Sequence, residues 1–281
     1  MKKNTNLEAH FTKFRDGIIG IDQYFISPYG RKKIVYADWI ASGRMYAPIE
    51  KVFTESVFPK IANTHTETNY TGTSMTNAYK AARKIIKNHV NASPNDVLIC
   101  TASGMTGVVN KFQRILGLKI HEKFRNEIHQ EELDKPVVFI THMEHHSNQT
   151  SWNETLGDVL IIPPTPEGLV DLDAFKEMLD KYKDRKTKIA AVTSCSNVTG
   201  IKTPYHEIAQ LIHQAGGYCF VDFACSAPYI SIDMHPSEFP EGYLDAIYFS
   251  PHKFLGGPGS PGVLIFNLSA KFNQSECGIS R

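Results

Sequence analysis

The chain has 281 residues, 42% hydrophobic and 21% charged, with a formal net charge of +1. That composition is ordinary for a globular protein long enough to bury a sizeable core in one or two domains, and its near-neutral balance gives no bulk electrostatic reason for a nucleic-acid or membrane partner. No stretch approaches the ~18 apolar residues of a membrane span, and the amino terminus lacks the apolar core of a signal peptide. The five cysteines (Cys100, Cys195, Cys219, Cys225 and Cys277) are odd in number and form no Cys-x-x-Cys pair. Neither a disulfide framework nor a zinc ribbon is expected, and reduced thiols in a cytoplasmic protein are.

Residues 1–32 are polar and mixed, with a turn at Tyr29-Gly30, and read as an arm or short helix ahead of a first strand over Lys33–Asp38. Such an arm could lie on a partner subunit. Pro48 marks a helix start, and apolar residues recur at helical spacing from Ile49 to Ile61. A polar loop, Asn63 to Asn69, precedes a helix over Thr76–Val90, which Ser93-Pro94-Asn95-Asp96 breaks. Strand Val97–Cys100 then runs through Ala102-Ser103-Gly104-Met105-Thr106-Gly107 into a helical pattern, Val108–Leu118. A strand, a small-residue turn and a helix start make an anion site, because unpaired amides and the helix dipole face the turn. The stretch is neither a Walker A loop nor Gly-x-Gly-x-x-Gly, and a plain N-cap by Ser103 or Thr106 is the alternative.

His121 to Leu133 is a charged helix or excursion, and Pro136 opens strand Val137–Thr141. The following His142-Met143-Glu144-His145-His146 carries metal-ligating residue types. Its spacing is not His-Glu-x-x-His and no cysteine or second cluster accompanies it, so no metal is expected. Strand Val159–Ile162 leads to helix Asp171–Lys183 with Asp171 as N-cap, and strand Ile189–Thr193 leads to helix Tyr205–Ala215, ended by Gly216-Gly217. Strand Tyr218–Asp222 delivers Asp222 at its carboxyl end. Strand Asp245–Ser250 and the apolar run Val263–Phe266 flank a Gly/Pro-rich turn that carries Lys253. A lysine at the mouth of a sheet, where open α/β folds bind ligands, is desolvated and becomes a nucleophile able to form a Schiff base; a plain surface lysine is the alternative. Roughly seven strands alternating with helices predict an α/β domain with a mainly parallel sheet and helices on both faces.

Ser250-Pro251-His252-Lys253 after a strand, Val221-Asp222-Phe223-Ala224 about thirty residues upstream, and Glu144-His145-His146 further up together resemble the class V aminotransferase group of fold-type I pyridoxal-phosphate enzymes. Cysteine desulfurases and selenocysteine lyases belong to that group. The resemblance runs from about Tyr36 to Phe266, and its entry segment is Tyr36 to Ser42. It implies a fold-type I large domain over residues 33–266, with a seven-stranded sheet of which one strand is antiparallel. It also implies pyridoxal 5'-phosphate as cofactor, a small amino acid as substrate and a homodimer.

Carried over residue by residue, the resemblance makes Lys253 the Schiff-base lysine. Asp222 becomes the carboxylate that keeps the pyridine nitrogen protonated, so that the ring serves as an electron sink. His145 becomes the imidazole stacked on that ring; these three are the expected catalytic residues. Asn197 contacts the phenolic oxygen or the substrate. Met105, through its backbone, and Thr106 hold the phosphate, helped by Ser250 or His252, and the loop from Asn63 to Asn69 borders the site. Two positions depart from the pattern: the acid usual after Ser-Gly-Ala-Thr is Gly107 here, and the glutamine usual three residues after the aspartate is Cys225.

Residues 267–281 form a short tail, where the family continues into a small domain with the carboxylate-gripping arginine and, in desulfurases, the sulfur-accepting cysteine. Cys277 is not assigned that role. A chain without the small domain is expected to self-associate, to bind the cofactor weakly and to release little sulfide. The resemblance therefore supports an enzyme acting on an amino acid. The alternative is a truncated or degenerate relative that binds the cofactor or a partner without turnover. A metal hydrolase built on His142 to His146 is a weaker third reading.

Overall fold

A computed structural model describes residues 7–127, 131 and 134–267; Cys277 lies outside the described residues. The described residues divide into two compact units, one formed by those up to 82 together with 251–259, the other by those from 83 to 250 together with 260–267.

The first unit begins with helix α1 (Leu7–Asp16) and a hairpin of β1 (Tyr24–Ser27) and β2 (Gly30–Lys33). The strand expected over Lys33–Asp38 is therefore misplaced: pairing stops at Lys33 and the chain from Ile34 to Asp38 is irregular. The β-branched and aromatic residues there gave the strand signal, but they find no ladder partner beyond the bond from Ile34 N–H to Gln23 C=O. Pro48 does sit in the first turn of α2 (Ala47–Val52), where its missing N–H has no acceptor to lose, and helical turns continue to Lys60. Helix α3 (Tyr70–His89) starts six residues before the predicted Thr76. Its initiator is Asn69, whose side-chain oxygen accepts from Gly72 N–H at 2.7 Å.

The second unit is built on a seven-stranded sheet. Its strands are β3 (Val97–Thr101), β4 (Val137–Thr141), β5 (Asp158–Ile162), β6 (Lys188–Thr193), β7 (Tyr218–Asp222), β8 (Ala246–Phe249) and β9 (Gly262–Phe266). They lie in the order β3-β9-β8-β7-β6-β4-β5. β9 alone runs against the others, as the expected fold requires. Between the strands come α4 (Gly104–Ile115), α5 (His146–Asn153), α6 (Leu172–Lys181) and α7 (Tyr205–Gln214).

Alternation along the strands directs successive side chains to opposite faces, and both faces are covered. Val138, Ile140, Ala191, Phe220, Tyr248 and Leu264 join Val108, Phe112 and Trp152 of α4 and α5 in one core. On the other face Phe139 meets Phe175 of α6 edge-on, with ring centroids 5.3 Å apart. Both-sided burial explains why the central strands read as continuous apolar runs. Asp171 caps α6 as its sequence predicts, accepting from Asp173 N–H and Ala174 N–H at 3.0 and 2.9 Å. Helix α5 had no sequence signal, because the residues it buries include Asn148 and Ser151.

Candidate active site

All strands but β9 run in one direction, so the segments that follow β3, β4, β6, β7 and β8 emerge at one edge of the sheet. That edge gathers Met105 and Thr106, His145, Asn197, Asp222 and Ser250 in the second unit. His252 and Lys253 belong to the first unit.

At the end of β3 the chain turns through Gly104, whose φ of +66° suits a residue without a side chain. Ser103 stands at the N-cap of α4 but makes no side-chain cap. Its Oγ instead occupies the space beside Gly107, where a Cβ would come within 1.8 Å of it. The position vacated by the family's usual acid is thus filled by Ser103. The first amides of α4, at Met105 and Thr106, have no acceptor within the helix. The Met105 side chain is buried in the core, so only its amide is available, whereas Thr106 is exposed. At the start of β9, Gly262 lets the strand approach this turn: a Cβ there would lie 2.3 Å from the Gly104 carbonyl group.

His145 is the N-cap of α5. Its Nδ1 accepts from Ser147 N–H at 3.1 Å and faces Ser147 Oγ at 2.7 Å. The neighbouring Glu144 carboxylate receives Thr141 N–H (3.2 Å), Thr141 Oγ1 (2.7 Å), Thr193 N–H (2.8 Å) and Asn148 Nδ2 (2.8 Å). Burial pushes the Glu144 carboxyl above its ordinary range, while those hydrogen bonds pull the other way. Asn148, fully buried, also gives Nδ2 to Ala191 C=O, and its Oδ1 receives Trp152 Nε1 and Tyr248 Oη, each at 3.0 Å. Burial, followed by the charges of Asp222 and Glu144, holds the Tyr248 phenol far above its usual range, so it stays protonated. Sequence reasoning missed Glu144, Asn148 and Tyr248 as a unit. The three lie up to about a hundred residues apart, and only the short Glu144/Asn148 spacing on a turn and helix could have hinted at them.

Asp222 is 2% exposed at the end of β7. Its Oδ1 accepts from Ala224 N–H at 2.7 Å, and its main-chain oxygen takes both the N–H and the hydroxyl of Ser194. Cys225 is buried, with its thiol donating to Cys195 C=O at 3.0 Å. Asn197 is exposed in the turn after β6, and Ser250 is buried at the end of β8.

In the first unit, Lys253 closes a short 3-10 turn, Pro251–Lys253. That turn is pinned by the segment after Tyr36. Gly43 N–H donates to His252 C=O at 2.9 Å, and Gly256 N–H donates to Arg44 C=O at 2.7 Å. A Cβ at Gly43 would come within 1.9 Å of the Phe254 oxygen, so only glycine fits the approach. Burial and the neighbouring Lys253 push the His252 imidazole below its ordinary range, leaving it neutral at pH 7. The loop from Asn63 to Asn69 holds the cap of α3.

The sequence model of the family described as Aminotransferase class-V matches residues 35–278. The chain belongs to the class V aminotransferase family. A probable cysteine desulfurase of Halalkalibacterium halodurans is 30% identical over 235 residues, covering 82% of this chain and 52% of the relative. A cysteine desulfurase of Synechococcus elongatus is 28% identical over 207 residues, 72% of this chain and 30% of that one. This family member thus spans about half the length, or less, of the curated relatives it matches. Among solved structures, the apo cysteine desulfurase of Thermococcus onnurineus superposes with a TM-score of 0.63 at 20% identity, over 83% of this chain and 53% of that one. A cysteine desulfurase of Escherichia coli gives 0.60 at 23% identity, over 83% and 54%. These likenesses establish the fold-type I fold for this class V chain. No helix among the described residues is long and apolar enough to cross a membrane.

Proposed function

We propose that this chain binds pyridoxal 5'-phosphate through Lys253 and acts on a small amino acid, with cysteine, from which its desulfurase relatives take their name, as the first substrate to test. The observation that carries the reading is Asp222: a carboxylate 2% exposed at the end of a central parallel strand, on the same sheet edge as the uncapped first turn of α4. The donor set fits the group. Free helix amides suit a phosphate, a buried carboxylate suits a protonated pyridine nitrogen, and a primary amine suits an aldehyde.

When bound, the cofactor supplies an electron sink for a carbanion at the substrate Cα. The residues of the chain would bind and orient it. Met105 and Thr106 give their amides to the phosphate, and Ser250 and His252 add a hydroxyl and a neutral imidazole. Asp222 would hold a proton on the ring nitrogen, His145 would serve the ring face, Asn197 would serve the phenolic oxygen or the substrate, and Lys253 would provide the ε-amine for covalent attachment. The test is incubation with pyridoxal phosphate, reduction with borohydride and peptide mapping. The label should fall on Lys253 and disappear in Lys253→Ala; labelling that persists in that variant would overturn the assignment.

A second reading, cofactor binding without turnover, is favoured by one feature. Cys225, where the family usually has glutamine, spends its thiol on Cys195 C=O. Sulfide release from cysteine by cofactor-loaded protein separates the two. As a homodimer the protein would cover apolar side chains of the first unit such as Ile26, Tyr29 and Val35, which are exposed. Sedimentation tests that part of the reading. The reading places the protein in a reducing compartment such as the cytoplasm, where cysteines stay as thiols.

A further inference from the structure

Glu144 has no task in the reading above, yet four donors converge on its carboxylate from three places: Thr141 at the end of β4, Thr193 at the end of β6, and Asn148 in α5. Asn148 extends the chain of bonds to Tyr248 on β8, the strand that leads into Ser250 and the lysine turn. The network thus links the ends of three strands whose following segments carry His145, Asn197 and Ser250. We infer that Glu144, with Asn148 and Tyr248, is a positioning network that fixes the backbone and the tautomer of His145. The inference rests on the reading that His145 faces the cofactor only for its functional meaning, not for its geometry.

A backbone N–H can only donate, so the bond from Ser147 N–H requires Nδ1 of His145 to carry its lone pair. The proton of the neutral ring then sits on Nε2. That assignment holds while His145 and Ser147 keep their relative places at the start of α5. Glu144 anchors the residue before His145 to both strand ends, and Asn148 anchors the first turn of the helix to Glu144.

The bonds from Thr141, Thr193 and Asn148 all donate to the carboxylate, so they favour its ionised form against the burial that raises its pKa. A glutamine could keep the bonds to Thr141 and Thr193 through its oxygen, but its NH2 would then face Asn148 Nδ2. Asn148 cannot turn over to relieve this, because its Oδ1 already receives Trp152 and Tyr248 and its Nδ2 also serves Ala191 C=O. Glu144→Gln therefore breaks the link between the β4 turn and α5 while leaving the strand ladders intact.

The experiment is long-range 1H–15N NMR of the histidine rings in the full 281-residue chain without cofactor, at mildly alkaline pH. The wild type should show His145 as the Nε2–H tautomer. Glu144→Gln should turn it into a measurable mixture of tautomers. His213, bonded to Glu241 C=O and Asp245 at the opposite edge of the sheet, should keep its resonances. Tyr248→Phe removes only one hydroxyl of the network and should move His145 in the same direction by less. It decides the matter if Glu144→Gln does not fold. A variant that loses stability while His145 keeps the wild-type tautomer would make the network merely structural and overturn the inference. Because no cofactor is present, this outcome is separate from a failure of borohydride labelling at Lys253, which would remove the cofactor reading alone.

Discussion

Asp222 differs from an ordinary strand-end aspartate in what surrounds it: it is nearly inaccessible, and one oxygen is committed to Ala224 N–H. Asparagine can keep that bond through its own oxygen, so Asp222→Asn should unfold in urea within about 1 kcal/mol of the wild type. It removes the charge that would hold a proton on the pyridine nitrogen. Cofactor attachment should therefore survive borohydride trapping, while turnover of any accepted amino acid falls by orders of magnitude. Unchanged turnover would remove Asp222 from the proposed chemistry. Asp96 is a second buried carboxylate with a different use. Burial works against its ionisation, but hydrogen bonds from His235 and from the amide and hydroxyl of Ser93 outweigh this, and its carboxyl titrates below the ordinary range. A depressed folded pKa contributes stability above the unfolded value of about 3.9, and that contribution is lost as pH falls through the folded value. Asp96→Asn should cost roughly 1.5 to 3 kcal/mol at pH 7, with the gap to wild type closing as urea titrations move below about pH 4. A gap independent of pH would assign the effect to packing.

Two elements hold the candidate phosphate cradle and its scaffold, and each rests on a single residue type. β9 reaches the first turn of α4 only because position 262 lacks a side chain. Gly262→Ala would drive a methyl into the Gly104 carbonyl, where the obstacle is backbone and cannot swing aside. A loss of about 3 kcal/mol is expected from overpacking, together with weaker binding of inorganic phosphate or of the cofactor if the cradle lies there. Helix α6 depends on Asp171, which satisfies two of its free amides. Asp171→Ala should lower stability by about 1 kcal/mol and leave cofactor binding unchanged, since none of the residues proposed to hold the cofactor lies on α6 or in its cap. Thermal unfolding of the two variants beside cofactor titrations separates these effects.

At the scale of the whole chain, the alternation of apolar runs with helical spacing fixes an α/β architecture from residue 97 onward, because strands buried on both faces must be apolar throughout and crossover helices must be amphipathic. Local signals of the same kind were legible without coordinates: Asp171 before its helix, Pro48 in a first turn, Gly216 with φ +76° after α7, and a lysine in a Gly/Pro turn between two strands. Ser-Pro-His-Lys and its companion motifs pointed to the family for the same reason, since they are short and contiguous. The start of α3, the irregular path from Ile34 to Asp38 and the helix that carries Asn148 were not legible. An Asn cap and a strand without a partner are decided by which backbone groups find one another, and a helix that buries polar residues has no apolar stripe. The Glu144–Asn148–Tyr248 network and the filling of the Gly107 space by Ser103 lie further still beyond sequence reasoning. Hydrogen bonds between residues distant in the chain leave no period or motif, and only the packed sheet brings Tyr248 to Asn148 and Thr193 to Glu144.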